Sequence, residues 1–473
     1  MRSTWQRIER VLLVVPPSGY IPAMGWDEIA VAPLEGATIA CTVLREAGLH
    51  VEAHDLRYRP DAQYSLLSDL RPSDCLCLAA TPDSYRHIRN LSALARRETS
   101  CGPIISGGPL ATASYATVLN HTDVDFCVVG ECENALPALV SGFGTNEPIP
   151  PGVAWLDVSG AVGLVPGNRA DQVCLDSTAL LDFSCWGPKS VDGRSTGVPR
   201  ALCYSTLRGC PHNCSFCANL LGGNVRFAGE SKLSRELGAL RSTAVEFLSL
   251  NDPTFNVDES HCMLVCSLMA QHGFRWSCYI RASGLSRSLI RAMRDSGCVA
   301  AFLGIEALDQ RLLDTHNKGV STHDIEDAVN ACLAERLSLI GFFMIGLPGE
   351  TVQSLRRSLD FARRHPFPPR AKFATPYPGT RLADVYRIQN PCVSDEELLL
   401  RIAEVTNGPE DYTTFGLSDV PHSALLNVMA EFRGIERERI TNQGQADTAM
   451  HEGHGLLPRL RPAPHSPPGK AEQ

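Results

Sequence analysis

Two alternating series of apolar and amphipathic stretches divide the chain. In the first, RVLLVVPP (10–17) is a β-branched run stopped by two prolines, which reads as a buried strand. LEGATIACTVLREAG (34–48) has helical periodicity and ends on a glycine suited to a C-cap. HVEAHDL (50–56) alternates as a strand, DCLCLAAT (74–81) and GPIISGG (102–108) are further strands, and VDFCVVGECENALPALV (124–140) reads strand, glycine turn, helix. Strands alternating with helices across residues 1–145 predict a parallel, doubly wound, Rossmann-like sheet.

Residues 146–198 are rich in Pro, Gly and Ser and read as a linker with a small hairpin. The second series fills residues 199–390: ALCYST, VEFLSL, WSCYI, VAAFLGIE, LIGFFMIGLP and AKFATPYP, separated by helical segments. Six such strands predict a partial (β/α)6 barrel, with chemistry at the C-terminal strand ends. Residues 391–440 form a short helical C-terminal segment, opened by a capping box of Ser394 and Glu397. The polar, Pro- and Gly-rich residues 441–473 predict a disordered tail, whose three histidines lack ligand spacing. The fold class is therefore α/β, in two domains.

Composition narrows the function classes. Hydrophobic content of 44% and charged content of 20% are those of a soluble globular protein. A net charge of −9 gives no pull toward nucleic acid or anionic membrane. No run of about twenty apolar residues exists to span a bilayer, and the apolar run after the N-terminus is too short for a secretory signal. The 18 cysteines are then reduced thiols of a cytoplasmic protein, mostly small buried hydrophobes.

RGCPHNCSFC (208–217) departs from that rule by crowding Cys210, Cys214 and Cys217 into a loop just after the strand ALCYST. Thiolates are the usual ligands of an iron–sulfur cube, and three of them leave one of four irons open to a further ligand. The alternatives are buried structural thiols, or zinc with Cys203, Cys262 or Cys266 as fourth ligand.

The spacing Cys-x3-Cys-x2-Cys, with Phe216 before the last cysteine, is similar to the signature of radical S-adenosylmethionine (SAM) enzymes. The resemblance runs over roughly 200–385. VEFLSLNDPTF resembles the family's second strand, ending at Asn251 and Asp252; YIRAS resembles its third-strand segment, with Arg281. FLGIEALDQRLLDTHNKG resembles the fourth-strand block, whose glutamate, here Glu306, contacts SAM in the family. GFFMIGLPGET resembles the glycine motif near the adenine, with Gly346 and Gly349, and TPYPGTRL, with Pro376, resembles the sixth strand end. The resemblance implies a [4Fe-4S] cluster on the three cysteines, SAM chelated at the open iron, and reductive cleavage to a 5′-deoxyadenosyl radical.

The first domain resembles the cobalamin-binding domain that precedes the barrel in one subgroup of this family. The stretches concerned are VVPP (14–17), APLEGATIACTVLREAG (32–48), AATPDSY (79–85), GGPLAT (107–112) and VVGECE (128–133). Leu110 stands where histidine is common, and Cys132 replaces a turn glycine. Two alternatives follow: a working corrinoid site, or a domain kept for structure.

Two reactions compete. The leading expectation is dehydration of a 1,2-diol on an amino sugar, because the compact chain is similar to the aminoglycoside diol dehydratases of the apramycin (paromamine) type. Its alternative is cobalamin-dependent C-methylation. Acidic contacts for an amine are expected from Asp252, Glu306 and Asp309, and a general acid from His212, Tyr279 or Tyr377. The implied partners are a small-molecule substrate, an electron donor such as flavodoxin or ferredoxin and, for dehydration, an NAD(P)H reductase. An iron–sulfur sensor would need the cluster but not the SAM-contact blocks.

Overall fold

The computed structural model describes residues 5–17, 34–57, 66–167, 172–186, 201–243, 245–407 and 415–450. Its first sheet contains β1 (Arg10–Val15), β2 (His50–Asp55), β3 (Asp74–Ala79), β4 (Ile104–Gly107), β5 (Phe126–Val128), β6 (Val153–Leu156) and β7 (Val162–Val165), in the order β2-β1-β3-β4-β5-β6-β7. The first five are parallel, and β6 and β7 are antiparallel. The hairpin anticipated within 146–198 is thus an extension of the first sheet.

Continuous apolar runs are what a sheet covered on both faces requires. In β1, Val11, Leu13 and Val15 join one core while Leu12 and Val14 join another on the opposite face. The first of these cores continues without a break into the second domain, through Trp186, Leu202 and Cys262. The helix Glu35–Glu46 lies at this junction, where Thr38 accepts a 2.9 Å bond from the indole of Trp186.

The second domain contains β8 (Ala201–Tyr204), β9 (Leu207–Arg208), β10 (Arg226–Phe227), β11 (Phe247–Leu250), β12 (Arg275–Ile280), β13 (Cys298–Glu306), β14 (Leu339–Ile345) and β15 (Pro369–Phe373). Six of these form an all-parallel sheet in the order β15-β14-β13-β12-β11-β8, with no pairing between β15 and β8, as a partial barrel requires. Six helices of this domain start on side chains that accept from the first-turn N–H groups: Asp258, Ser286, Asp309, Ser321, Thr351 and Thr380. β9 and β10 form a separate two-stranded ladder at the barrel mouth.

The helix Asp395–Asn407 begins at the expected capping box, in which Glu397 N–H donates to Ser394 Oγ at 3.2 Å. It returns to the first domain, where Tyr85 donates to Glu396 at 3.2 Å. The last helix, His422–Met450, corrects one boundary: helix continues ten residues into the expected tail. No proline interrupts 422–450, so nothing there stops it. The rest of the expected tail and residues 187–198 of the linker lie outside the described residues. Among the described residues, no helix is long and apolar enough to cross a membrane.

Candidate active site

The cysteine loop, 209–225, closes on the two-residue ladder of β9 and β10. Its entry is Gly209, at φ +88°, where a Cβ would collide with the carbonyl of Asn224. Only glycine lets the two legs of the loop approach this closely. Further along, Ser215 N–H donates to the His316 carbonyl at 3.0 Å, and the Ser215 carbonyl accepts from Leu382 N–H at 3.0 Å. The Ser215 hydroxyl lies 2.6 Å from His316 Nδ1, and His316 Nε2 lies 3.0 Å from the Pro348 carbonyl. Nε2 therefore carries the proton and donates, while Nδ1 accepts. Burial lowers the pKa of this imidazole, which favours that neutral form.

Cys210, Cys214 and Cys217 all line one cavity of about 620 Å³ between the barrel mouth and the first sheet. Cys217 is exposed at the rim of the cavity, and partial desolvation there, with the neighbouring Cys214 and Cys210, raises its thiol pKa. Three thiolates here need a cationic group among them. Among the described residues, no three Cys, His, Asp or Glu side chains close on a single ion. Thiols spread around a common cavity suit a multinuclear cluster better than one zinc. Arg281 supports the same reading: it is 5% exposed, its Nη1 lies 3.8 Å from Cys214 Sγ, and its Nε has no partner. A buried guanidinium with a spare donor suits thiolates or a bound carboxylate. The residues present therefore fit a cluster with one iron left free by the protein.

Glu306 ends β13 at φ +63°, where the pairing with β14 shifts register. Its carboxylate accepts from Lys318 at 2.8 Å, with both side chains largely buried. Gly304 makes room for the pair, since a Cβ there would lie 2.7 Å from Lys318 Nζ and 2.8 Å from Glu306 Oε1. The Lys318 ammonium also stands 5.9 Å over the ring of Phe216, and all three residues line the cluster cavity.

The remaining expected contacts are distributed differently. Gly346 and Gly349 take φ of +86° and +78° in the turn after β14, outside the cavity lining. Gly346 N–H donates to Glu350 at 2.6 Å, and burial raises that carboxyl to about 8. Pro376 is buried between Thr375 and Tyr377, which do line the cavity. Asn251 opens onto a second cavity.

Two of the acids expected to meet an amine have other work, which corrects that expectation. Asp252 is fully buried and accepts from Thr206 N–H at 2.7 Å, the Thr206 hydroxyl at 2.6 Å and Leu207 N–H at 3.0 Å. Asp309 caps the helix Gln310–Thr315 and pairs with Arg357. His212, Tyr279 and Tyr377 do line the cluster cavity, and burial raises the Tyr377 phenol. Cys203, Cys262 and Cys266 do not line it.

The second cavity, about 380 Å³, lies at the C-terminal ends of β1, β3, β4 and β5, against Ser205, Arg208, Leu220 and Leu221 of the second domain. Gly36, Gly107 and Gly130 border it, and a Cβ at any of them would meet nothing within 4 Å. These glycines leave a cradle, at the place where doubly wound sheets take ligands. Leu110 is buried in the core and is not among the residues that line this cavity. Cys132 does line it, with its thiol pKa raised by burial. Leu34, Ala79 and Thr81 line both cavities, which therefore adjoin.

Sequence reading assigned no role to Ser215, His316, Lys318 or Glu131. Lys318 and His316 belong to the quoted fourth-strand block, but linear spacing does not show that one reaches Glu306 and the other the cysteine loop.

Residues 204–362 match the Radical SAM superfamily, and residues 33–140 match the B12 binding domain. An uncharacterized methyltransferase of Pyrococcus horikoshii is 26% identical over 403 residues, covering 81% of this chain and 84% of that one. The fold is similar to that of the radical S-adenosylmethionine methyltransferase TsrM of Kitasatospora setae, solved with cobalamin and a [4Fe-4S] cluster. There the TM-score is 0.69 at 19% identity, over 90% of this chain and 91% of that one. It is also similar to the cobalamin-dependent S-adenosylmethionine radical enzyme OxsB, at TM-score 0.64 and 13% identity, over 95% and 83% of the two chains. The chain thus carries a Radical SAM superfamily domain behind a B12 binding domain.

Proposed function

We propose that this protein is a cobalamin-dependent radical SAM methyltransferase that methylates carbon on a small molecule. The observation that carries this reading is the shared wall of the two cavities, Leu34, Ala79 and Thr81. A corrinoid in the first-domain cradle would meet the cluster cavity across that wall. The P. horikoshii relative and TsrM are both named methyltransferases.

Amino-sugar dehydration, the leading expectation from sequence, finds no support in these relatives. The cavity also argues against it. The carboxylates among its described lining residues are Asp83 and Glu306, and Glu306 is already paired with Lys318, so the wall offers a polyamine few acids.

When bound, the cluster supplies an electron to the SAM sulfonium, and cobalamin supplies a transferable methyl group. The chain's own residues bind and orient. Cys210, Cys214 and Cys217 would hold the cluster, and Arg281 would offset the charge of their thiolates. Glu306, aimed by Lys318, would accept from the ribose or amino group of SAM. Asn251 would contact the corrinoid rather than SAM. The Tyr377 phenol keeps its proton and can donate it to substrate. A flavodoxin- or ferredoxin-type donor would supply electrons; the reductase needed for dehydration has no part in this reaction.

The test is anaerobic turnover with reductant, SAM carrying a deuterated methyl group, hydroxocobalamin and a panel of substrates. S-adenosylhomocysteine with deuterated methyl on product carbon is expected. Loss of water from a diol without cobalamin would overturn the reading.

A further inference from the structure

The loop that carries the cysteines has two faces. Its thiols line the cluster cavity, while Leu220 and Leu221, on its returning leg, wall the first-domain cavity. The loop stands on β9 and β10, a ladder of two residues per strand. A ladder that short has little stability of its own. Its one directly opposed pair that includes arginine is Arg208 with Arg226, so like charges face each other across the strands. Such a pair is destabilising unless a counter-charge joins it.

The counter-charge comes from the other domain. Glu131, in the turn after β5, accepts at Oε1 from Arg208 Nη1 at 2.8 Å and from Arg226 Nη2 at 2.7 Å. At Oε2 it accepts from Arg226 Nη1 at 3.0 Å and from Val173 N–H at 3.1 Å. Glu133 adds an ion pair to Arg208 at 2.6 Å. The side chains of Glu131, Arg208 and Arg226 are only 11–14% exposed, so solvent screens them little. These arginine bonds lower the Glu131 pKa against the opposing effect of burial. Glu131 is itself part of the first cavity's wall, between Gly130 and Cys132.

We infer that Glu131 is a positioning residue coupling the two cofactor sites: an occupied first cavity orders the cluster loop through the Glu131–Arg208–Arg226 clamp, and a loaded cluster tightens the first cavity. The inference rests on the reading of these cavities as corrinoid and cluster sites. Coupling of this kind is reciprocal, because both ligands bias the same ordered state of one loop. The clamp serves it because a bidentate carboxylate–guanidinium contact has one geometry, which an amide or a lysine cannot reproduce.

The experiment is a four-way titration of full-length protein with hydroxocobalamin, with and without a reconstituted cluster, for the unmodified chain and Glu131→Gln. The probe is the affinity read from the cobalamin absorption spectrum; iron incorporated per chain, with and without cobalamin, is read in parallel. The unmodified chain should bind hydroxocobalamin about 10-fold more tightly when the cluster is present. Glu131→Gln should bind it equally in both states and should take up iron independently of cobalamin. Arg226→Lys, which keeps the charge but not the fork, should behave like Glu131→Gln and covers the case in which that variant does not fold. Equal coupling in the unmodified and variant proteins, or none in the unmodified protein, would overturn the inference. Intact coupling without methyl transfer would defeat only the proposed reaction. Methyl transfer with coupling that survives in both variants would defeat only the clamp.

Discussion

Glu306 shows how single residues at this site are held against their own preferences. A glutamate at φ +63° is in the left-handed region, which costs roughly 1–2 kcal/mol for a residue with a side chain. It is kept there by the register shift in β13 and by Lys318, a strain of the kind that marks functional sites. Removing one member of a buried pair leaves the other charge uncompensated. Lys318→Met should therefore lower the stability of the cluster-free protein by about 3 kcal/mol in urea unfolding, and a change within error would show the pair to be dispensable. Glu350 gives a pH prediction. Its carboxyl is raised from 4.5 to about 8, mainly by burial, with the backbone bonds from Gly346 and Leu347 opposing. Between those values the folded chain holds a proton that the unfolded chain has released. Stability from this group is full below pH 4.5 and is lost as pH rises through 8. Glu350→Gln should flatten that decline, so that chemical denaturation finds the variant the more stable protein at pH 9 and not at pH 4.5. Parallel curves for the two proteins would contradict the assignment.

Among the elements, the small ladder of β9 and β10 matters most, because it closes the loop whose three cysteines line one cavity. Gly209→Ala places a side chain at φ +88° and against the Asn224 carbonyl. The expected cost is on the order of 1–3 kcal/mol, borne locally. Far-UV circular dichroism should stay unchanged while iron incorporation falls severalfold; normal iron uptake would show that the loop closes without this turn. The large parallel strands were legible in the chain because burial on both faces leaves unbroken apolar runs. A two-residue ladder leaves no such run, so β9 and β10 were not legible. The extension of the first sheet by β6 and β7 was only half legible, since a Pro- and Gly-rich stretch signals a turn but not the sheet edge that receives it.

For the whole molecule, the question is whether the two domains act as one body. A single apolar core runs from the first sheet through Trp186 into the barrel helices. Glu35 crosses the same junction, accepting from Ser205 N–H at 2.8 Å and from its hydroxyl at 2.5 Å. The chain should therefore unfold in one calorimetric transition. Glu35→Ala should strand the Ser205 donors, cost about 1–3 kcal/mol and lower that transition. Two well-separated transitions in the unmodified protein would show that the domains fold independently.

The two α/β series, the order of the barrel strands and the three cysteines could all be read from the chain, as could the resemblance that tied Arg281 and Glu306 to them. These follow from periodicity and from local spacing, which a linear string preserves. Several things could not be read. Asp252 and Asp309 looked like free acids and proved to hold the scaffold, Leu110 proved not to line the cavity, and Lys318, Glu35 and Glu131 had no visible partners. Each depends on which residues meet across sequence separations that run from 12 for Lys318 with Glu306 to 170 for Glu35 with Ser205. Local pattern carries no record of that, because such contacts are selected by the packing of the whole chain.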